Sequence, residues 1–188
     1  SMGDGGALVS NNQGFTERAK KLRWLGIDKG TWDRSELDKS YWWEYSVEEI
    51  GLKCHMNDIA AAIGLVQLAK LDVMNKRRKE IAAEYTKAFK DIDWIRTPPE
   101  DDEIYKSSWH IYSIKVIGRD ELSQHLKDRG VAVGVHYKPI HLYPCYGNKP
   151  VLPKSESLFK TILSLPLYPS MTDHELRTVV DAVISFKQ

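Results

Sequence analysis

The sequence predicts an α+β chain. Three observations carry that reading. Residues 57–90 repeat apolar side chains at helical spacing. Two short runs, 109–118 and 131–137, alternate apolar and other residues and flank a helix-like segment, which reads as a β-α-β unit. Thr172 with Glu175 forms a capping-box signature before a final apolar stripe.

Taken in order, Gly3, Gly5 and Gly6 mark a tight turn, and residues 7–10 read as a short strand. Nothing before that strand could pair with it, so the chain is read as beginning inside a larger domain, with its first ~45 residues loosely held. Residues 16–26 have helical character. Thr16 and Glu17 suit the start, basic residues the end, and Gly26 the C-terminal cap. Residues 28–46 lack periodicity but carry Trp32, Tyr41, Trp42 and Trp43, an aromatic loop suited to lie against another surface.

Asn57 offers an N-cap and Asp58 a charge for the first turn of the long pattern. Ile59, Ile63, Val66, Val73 and Met74 form its apolar stripe, with alanines between them. The first half is therefore expected to be deeply buried, in one very long helix or two joined near Met74. Basic residues at 76–79 read as a solvated face. Pro98 and Pro99 with the acids after them make a loop. The helix at 119–130 is expected to be capped by Asp120 and Gly130. Val131, Val133, Val135 and Tyr137 would share one face of the following strand, leaving His136 on the other. A Pro-rich loop follows, then a helix opening at Ser155 and running through Ile162. Residues 163–169 read as extended, and the last helix has Leu176, Val179, Val180 and Val183 as its core face.

Composition narrows the function. The chain has 188 residues, 27 basic against 26 acidic, and a formal charge of +1. That balance gives no reason to expect nucleic acid as a partner. No apolar run approaches the ~20 residues that cross a bilayer, so no membrane partner is expected. Two cysteines, Cys54 and Cys145, do not make a disulfide framework and fit a reducing, cytoplasmic setting.

Seven stretches, in order, resemble one family: GDGGALVS, LRWLGID, GLKCHMNDIAAAIGLVQLAKLD, RRKEIAAEY, WHIYSIKV, VGVHYKPIHLYPCYG and ILSLPLYPSMTDHEL. They resemble the C-terminal half of the DegT/DnrJ/EryC1/StrS sugar aminotransferases. The resemblance implies a type I aminotransferase fold in the parent, an α/β large domain holding pyridoxal 5′-phosphate (PLP) and a small α+β domain. It divides this chain into a remnant of the large domain at 1–56, a connecting helix at 57–90 and the small domain at 91–188. It implies homodimers with composite sites that move an amino group from glutamate to a keto carbon of a nucleotide-linked sugar, in cell-surface polysaccharide or amino-sugar biosynthesis. The family's Schiff-base lysine falls just before the GDGG turn, so no catalytic residue is assigned here and the fragment alone is expected to be inactive.

By the same resemblance Lys53 stands where family members carry an Asn, or a Lys, that reaches the partner subunit's PLP phosphate. A surface lysine is the plain alternative. His55 stands where many members carry Arg, and either a structural or an anion-binding role fits it. Cys54 reads as a small buried hydrophobe. His141 lies in the loop that resembles the segment closing over sugar and cofactor, and His110, His136 and Tyr137 are further candidates for substrate binding. Tyr137 equally suits the core. Trp109 reads as inter-domain packing or as a stacking surface, and Arg23 and Trp24 as the edge of the site. No histidine and cysteine spacing fits a zinc pattern, so no metal is assigned. Two other functions remain open: a dehydratase of the same family that uses pyridoxamine phosphate, and a non-catalytic dimerisation or regulatory domain.

Overall fold

The computed structural model describes residues 3, 5–30, 44–147 and 150–186. The aromatic cluster Trp32, Tyr41, Trp42 and Trp43 lies outside the described residues. The chain forms two compact units, Ser1–Lys70 and Leu71–Gln188.

In the first unit, helix α1 spans Gln13–Leu22. It starts earlier than Thr16 because Asn12 caps it, with Oδ1 accepting from the Phe15 amide at 3.0 Å. Gly26 ends the turn beyond it at φ +79°, and its N–H donates to the Lys21 carbonyl at 2.9 Å. Residues 7–10 form no strand and are exposed, since no described segment lies beside them to complete a ladder. Helix α2 spans Asp58–Ala69, and the Asn57 cap is as the sequence indicates, with Oδ1 accepting from the Ala60 amide at 2.8 Å.

The expected burial of that helix is corrected. No residue of α2 is buried, and Ile59 is 76% exposed and Val66 55%. Leu65 and Leu68 are exposed as well, so the helix is apolar on more than one side and none of the described residues of its unit covers it. Periodicity records that a helix is apolar, not where its cover lies. The helical pattern breaks at Lys70 rather than near Met74.

The second unit opens with helix α3, Leu71–Phe89, which buries Ile81, Ala82, Tyr85, Thr86 and Phe89 along one stripe. Three antiparallel strands follow: β1 at Ile95–Arg96, β2 at Tyr112–Val116 and β3 at Ile162–Leu165. Their spatial order is β1-β2-β3, with Ile114 opposite Leu163 and Tyr112 opposite Leu165. Helices α4 (Arg119–Lys127), α5 (Pro153–Thr161) and α6 (Asp173–Ile184) complete the unit, with two 3₁₀ turns at Ile140–Leu142 and Pro144–Tyr146.

The β-α-β expectation is corrected in its second strand. Residues 131–137 make only one bridge, Gly134 to Ser164, and that bridge is to the outer edge of β3. The two edges of β2 are taken by β3 and by β1, so this segment does not lie next to β2. At the start of α4 the cap is Gly118, at φ +75°, and Asp120 sits in the first turn instead. Gly130 follows the helix at φ +75°, as expected. Helix α5 begins at Pro153, two residues ahead of Ser155. At α6 the capping box is complete: the Glu175 amide donates to Thr172 Oγ1 at 3.2 Å, and the Thr172 amide to Glu175 Oε2 at 2.8 Å.

One core holds this unit together. Tyr85, Phe89, Tyr112, Ile114, Leu122, Leu126, Leu163 and Val183 are almost fully removed from water. The polar ends inside it are satisfied. Tyr85 Oη donates to the Pro166 carbonyl at 2.8 Å, and Tyr112 Oη shares a hydrogen bond with Thr86 Oγ1 at 2.9 Å. Burial pushes the Tyr112 phenol up to about 12. The basic run on α3 does more than face solvent: Arg77 binds Asp173 Oδ1 at 2.7 Å and Lys79 binds Asp101 at 2.9 Å.

Candidate functional site

Two places carry the residues singled out by the sequence. The first is built by backbone. The Leu52 amide donates to the Leu22 carbonyl at 2.8 Å, the Cys54 amide to Arg23 at 2.9 Å, and the Leu25 amide to Leu52 at 3.1 Å. These bonds pair Lys53 with Trp24 in an antiparallel bridge. The crossing is tight because two glycines meet there. A Cβ on Gly26 would come within 1.7 Å of the Glu49 carbonyl oxygen, and one on Gly51 within 2.3 Å of the Gly26 nitrogen.

This crossing holds Lys53 on an exposed, defined stretch of backbone. Among the described residues no carboxylate pairs with its ammonium, whereas Arg18 and Lys21 in the same unit are paired with Glu49 and Glu48. Lys53 therefore has the chemistry that a phosphate group asks for: an available cation with three donors. Cys54 is exposed, as are Leu52 and Lys53 before it, so its reading as a buried hydrophobe is corrected. His55 packs edge-on against Trp24 with ring centroids 3.9 Å apart, and its Nδ1 is buried with no hydrogen-bond partner among the described residues. Trp24 thus supports His55, and both border one hollow with Arg23.

The second place is a cavity of about 610 Å³ in the other unit. His136, Tyr137 and His141 all line it, beside apolar Ile140, Leu158 and Phe159. The strand alternation that would put His136 and Tyr137 on opposite faces does not hold, since this segment leaves the sheet after the single bridge at Gly134. Tyr137 is 75% exposed, so its reading as a core residue is corrected.

Both imidazoles are held from behind. His136 Nδ1 lies 3.0 Å from Ser164 Oγ, which in turn lies 2.6 Å from Ser113 Oγ. The His136 ring also rests on Gly134, where an added Cβ would stand 2.7 Å from its Cε1. His141 Nε2 lies 3.1 Å from Glu156 Oε1, and its side chain is only 8% exposed. The Leu152 amide, then His141, hold the Glu156 carboxyl below the usual carboxylate range.

His110 is not part of this arrangement. It is exposed and does not line the cavity. Its neighbour Trp109 is buried in the core of its own unit, 6.0 Å from the Tyr112 ring, rather than displayed for stacking. Sequence reasoning missed Ser164 and Glu156. A serine inside the apolar stretch 162–165 was a signal for the first, because a buried hydroxyl needs a partner. Glu156 is separated by 15 residues from the ring it holds and carried no such signal.

The profile of the DegT/DnrJ/EryC1/StrS aminotransferase family matches residues 1–184. The spore coat polysaccharide biosynthesis protein SpsC of Bacillus subtilis is 37% identical over 97% of this chain and 49% of its own length. The dTDP-4-dehydro-2,3,6-trideoxy-D-glucose 4-aminotransferase of Saccharopolyspora spinosa is 34% identical, over 95% of this chain and 47% of its own. The chain thus spans about half the length of these curated relatives. Among solved structures, the aminotransferase TlmJ of Streptoalloteichus hindustanus superposes with a TM-score of 0.80 at 34% identity, covering 92% of this chain and 45% of that one. A Streptococcus pneumoniae sugar aminotransferase in its PLP-form superposes with a TM-score of 0.78 at 28% identity, covering 95% and 44%. The α+β architecture described above is accordingly part of the aminotransferase fold. By the extent of the profile match and the register of these relatives, the chain belongs to the DegT/DnrJ/EryC1/StrS aminotransferase family.

Proposed function

We propose that this chain supplies part of the large domain and the small domain of a PLP-dependent aminotransferase that moves an amino group from glutamate to a keto carbon of a nucleotide-linked sugar. The observation that carries the reading is the cavity into which two imidazoles and a tyrosine converge, each imidazole anchored by one nitrogen. Polar groups few in number and fixed in place, set in apolar walls, suit a small polyhydroxylated ring. The family match and the aminotransferase activity that names the Saccharopolyspora relative point the same way.

In this proposal PLP, when bound, supplies the electron sink that lets an amino group pass between an amino acid and a ketone. This chain's residues do the holding. Lys53 offers its ammonium to the cofactor phosphate of a partner subunit in a homodimer, a point-charge contact that the exposed segment at 51–55 can make. His141 and His136 orient hydroxyl groups of the sugar, and Tyr137 covers it from the exposed side. His110 stays a weaker candidate for the same task. The proposed division remains a large-domain remnant at 1–56, a connector at 57–90 and a small domain at 91–188, in a cytoplasmic enzyme.

The test uses the complete polypeptide. It should convert a keto nucleotide sugar to its amine at the expense of glutamate, and Lys53→Gln should weaken PLP retention by about tenfold or more, the scale of one charge-assisted bond of about 1.5–3 kcal/mol. Lys53→Gln protein that keeps PLP as tightly as the parent would overturn the role given to Lys53.

A further inference from the structure

We propose that Glu156 is a positioning residue for His141: its carboxylate stands outside the cavity and fixes the imidazole as the Nε2–H tautomer, leaving Nδ1 as the ring's hydrogen-bond acceptor. The inference rests on the reading of the cavity as a ligand site only for its use; the tautomer itself follows from the contacts.

Glu156 Oε1 meets His141 Nε2 at 3.1 Å and accepts from the Leu152 amide at 3.0 Å. His141 lines the cavity and Glu156 does not, so the carboxylate approaches the ring from the side away from the ligand space. An ionised carboxylate has acceptors and no donor, so the hydrogen between the two must sit on Nε2. In the neutral ring that leaves the lone pair on Nδ1. The Leu152 bond fixes the carboxylate as well as lowering its basicity, so the ring does not choose its own partner. Because the His141 side chain is 8% exposed, water competes little for Nε2.

The consequence is a matter of ligand chemistry. A neutral His141 receives a hydrogen bond and cannot give one from Nδ1. It selects a ligand hydroxyl, which can donate, over a phosphate or carbonyl oxygen at the same spot. The second imidazole is not fixed in this way. Ser164 Oγ can donate or accept, so its contact leaves the His136 tautomer open.

The experiment labels the imidazole nitrogens of the 188-residue chain with ¹⁵N and reads two-bond proton–nitrogen correlations at about pH 8, above the ordinary histidine pKa of ~6.5. The expected spectrum of His141 has a pyridine-like Nδ1 and a pyrrole-like Nε2. Glu156→Leu removes the oxygen that accepts from the ring, so loss of the single tautomer is expected, with the β2–β3 amide signals unmoved, whereas Glu156→Gln keeps at Oε1 the acceptor that the ring and the Leu152 amide share and should keep the tautomer. A pyrrole-like Nδ1 in the parent chain, or a Glu156→Leu spectrum in which the single tautomer persists, would overturn the inference. If Glu156→Leu fails to fold, the parent spectrum alone decides. A keto nucleotide sugar is added last, to the complete polypeptide carrying the same label. If the tautomer is as expected and shifts with the sugar, both readings stand. If it is as expected and ignores the sugar, the Glu156 assignment stands and the ligand reading of the cavity falls.

Discussion

Gly51→Ala is the perturbation that most sharply tests how Lys53 is held. Gly51 has no positive φ to satisfy, so the substitution probes close approach alone. Its new Cβ would stand 2.3 Å from the Gly26 nitrogen, 2.6 Å from the Leu22 oxygen and 2.8 Å from the Leu25 carbonyl carbon. All three are backbone atoms, so no side chain can swing aside. The two strands of chain must part, and the Leu52–Leu22 and Leu25–Leu52 hydrogen bonds go with them. Two such bonds at about 1 kcal/mol each, with about 1–3 kcal/mol of overpacking, put the cost at roughly 3–5 kcal/mol. Amide hydrogen exchange is the assay. Protection at Leu25, Leu52 and Cys54 should fall by about a hundredfold or more, since each 1.4 kcal/mol is about tenfold. Gly6→Ala is the control, because nothing lies within 4 Å of its added Cβ. Gly51→Ala with parental protection at those amides would refute the account of the crossing.

Three further outcomes are expected in the second unit. Phe89→Ala should cost about 3–5 kcal/mol in urea unfolding, because its ring is fully buried and stacked 5.7 Å from Tyr85. Thr172→Ala should cost about 1 kcal/mol by removing the acceptor of the capping box, seen as a lower midpoint with an unchanged slope. Asp101, Asp173 and Glu175 are held below their ordinary values, by the Ser107 amide, by Arg77 and by the Thr172 amide respectively. A depressed folded value means that stability is complete above the unfolded pKa of about 4 and is lost as pH falls through the folded values. The urea midpoint should therefore decline below about pH 4, and Asp173→Asn should make that decline shallower.

Much of the local structure was legible because its signals are local. Asn57 and the Thr172–Glu175 pair satisfy amides three residues away, and Gly130 answers a single backbone conformation. What was misread depends on partners distant in sequence. Residues 131–137 alternate like a strand, yet the short run at 162–165 occupies the edge of β2, and alternation says nothing about which of two candidates pairs. The stripe on α2 was read as buried because apolar residues usually are, but the described part of its unit offers no surface against it. At the candidate site, the loop bearing His136, Tyr137 and His141 was legible. The groups that hold the two rings, Ser164 and Glu156, were not, since each is chosen by the fold rather than by its neighbours in sequence. His110 looked equivalent to the other histidines in composition, and only its position separates it from them.

The central claim is amino transfer, and the cofactor spectrum of the complete polypeptide tests it most directly. With glutamate added and no keto sugar present, the account expects the absorbance of bound PLP to give way to that of the pyridoxamine form, and a keto nucleotide sugar to reverse the change. A PLP spectrum that neither glutamate nor any keto nucleotide sugar alters would contradict it.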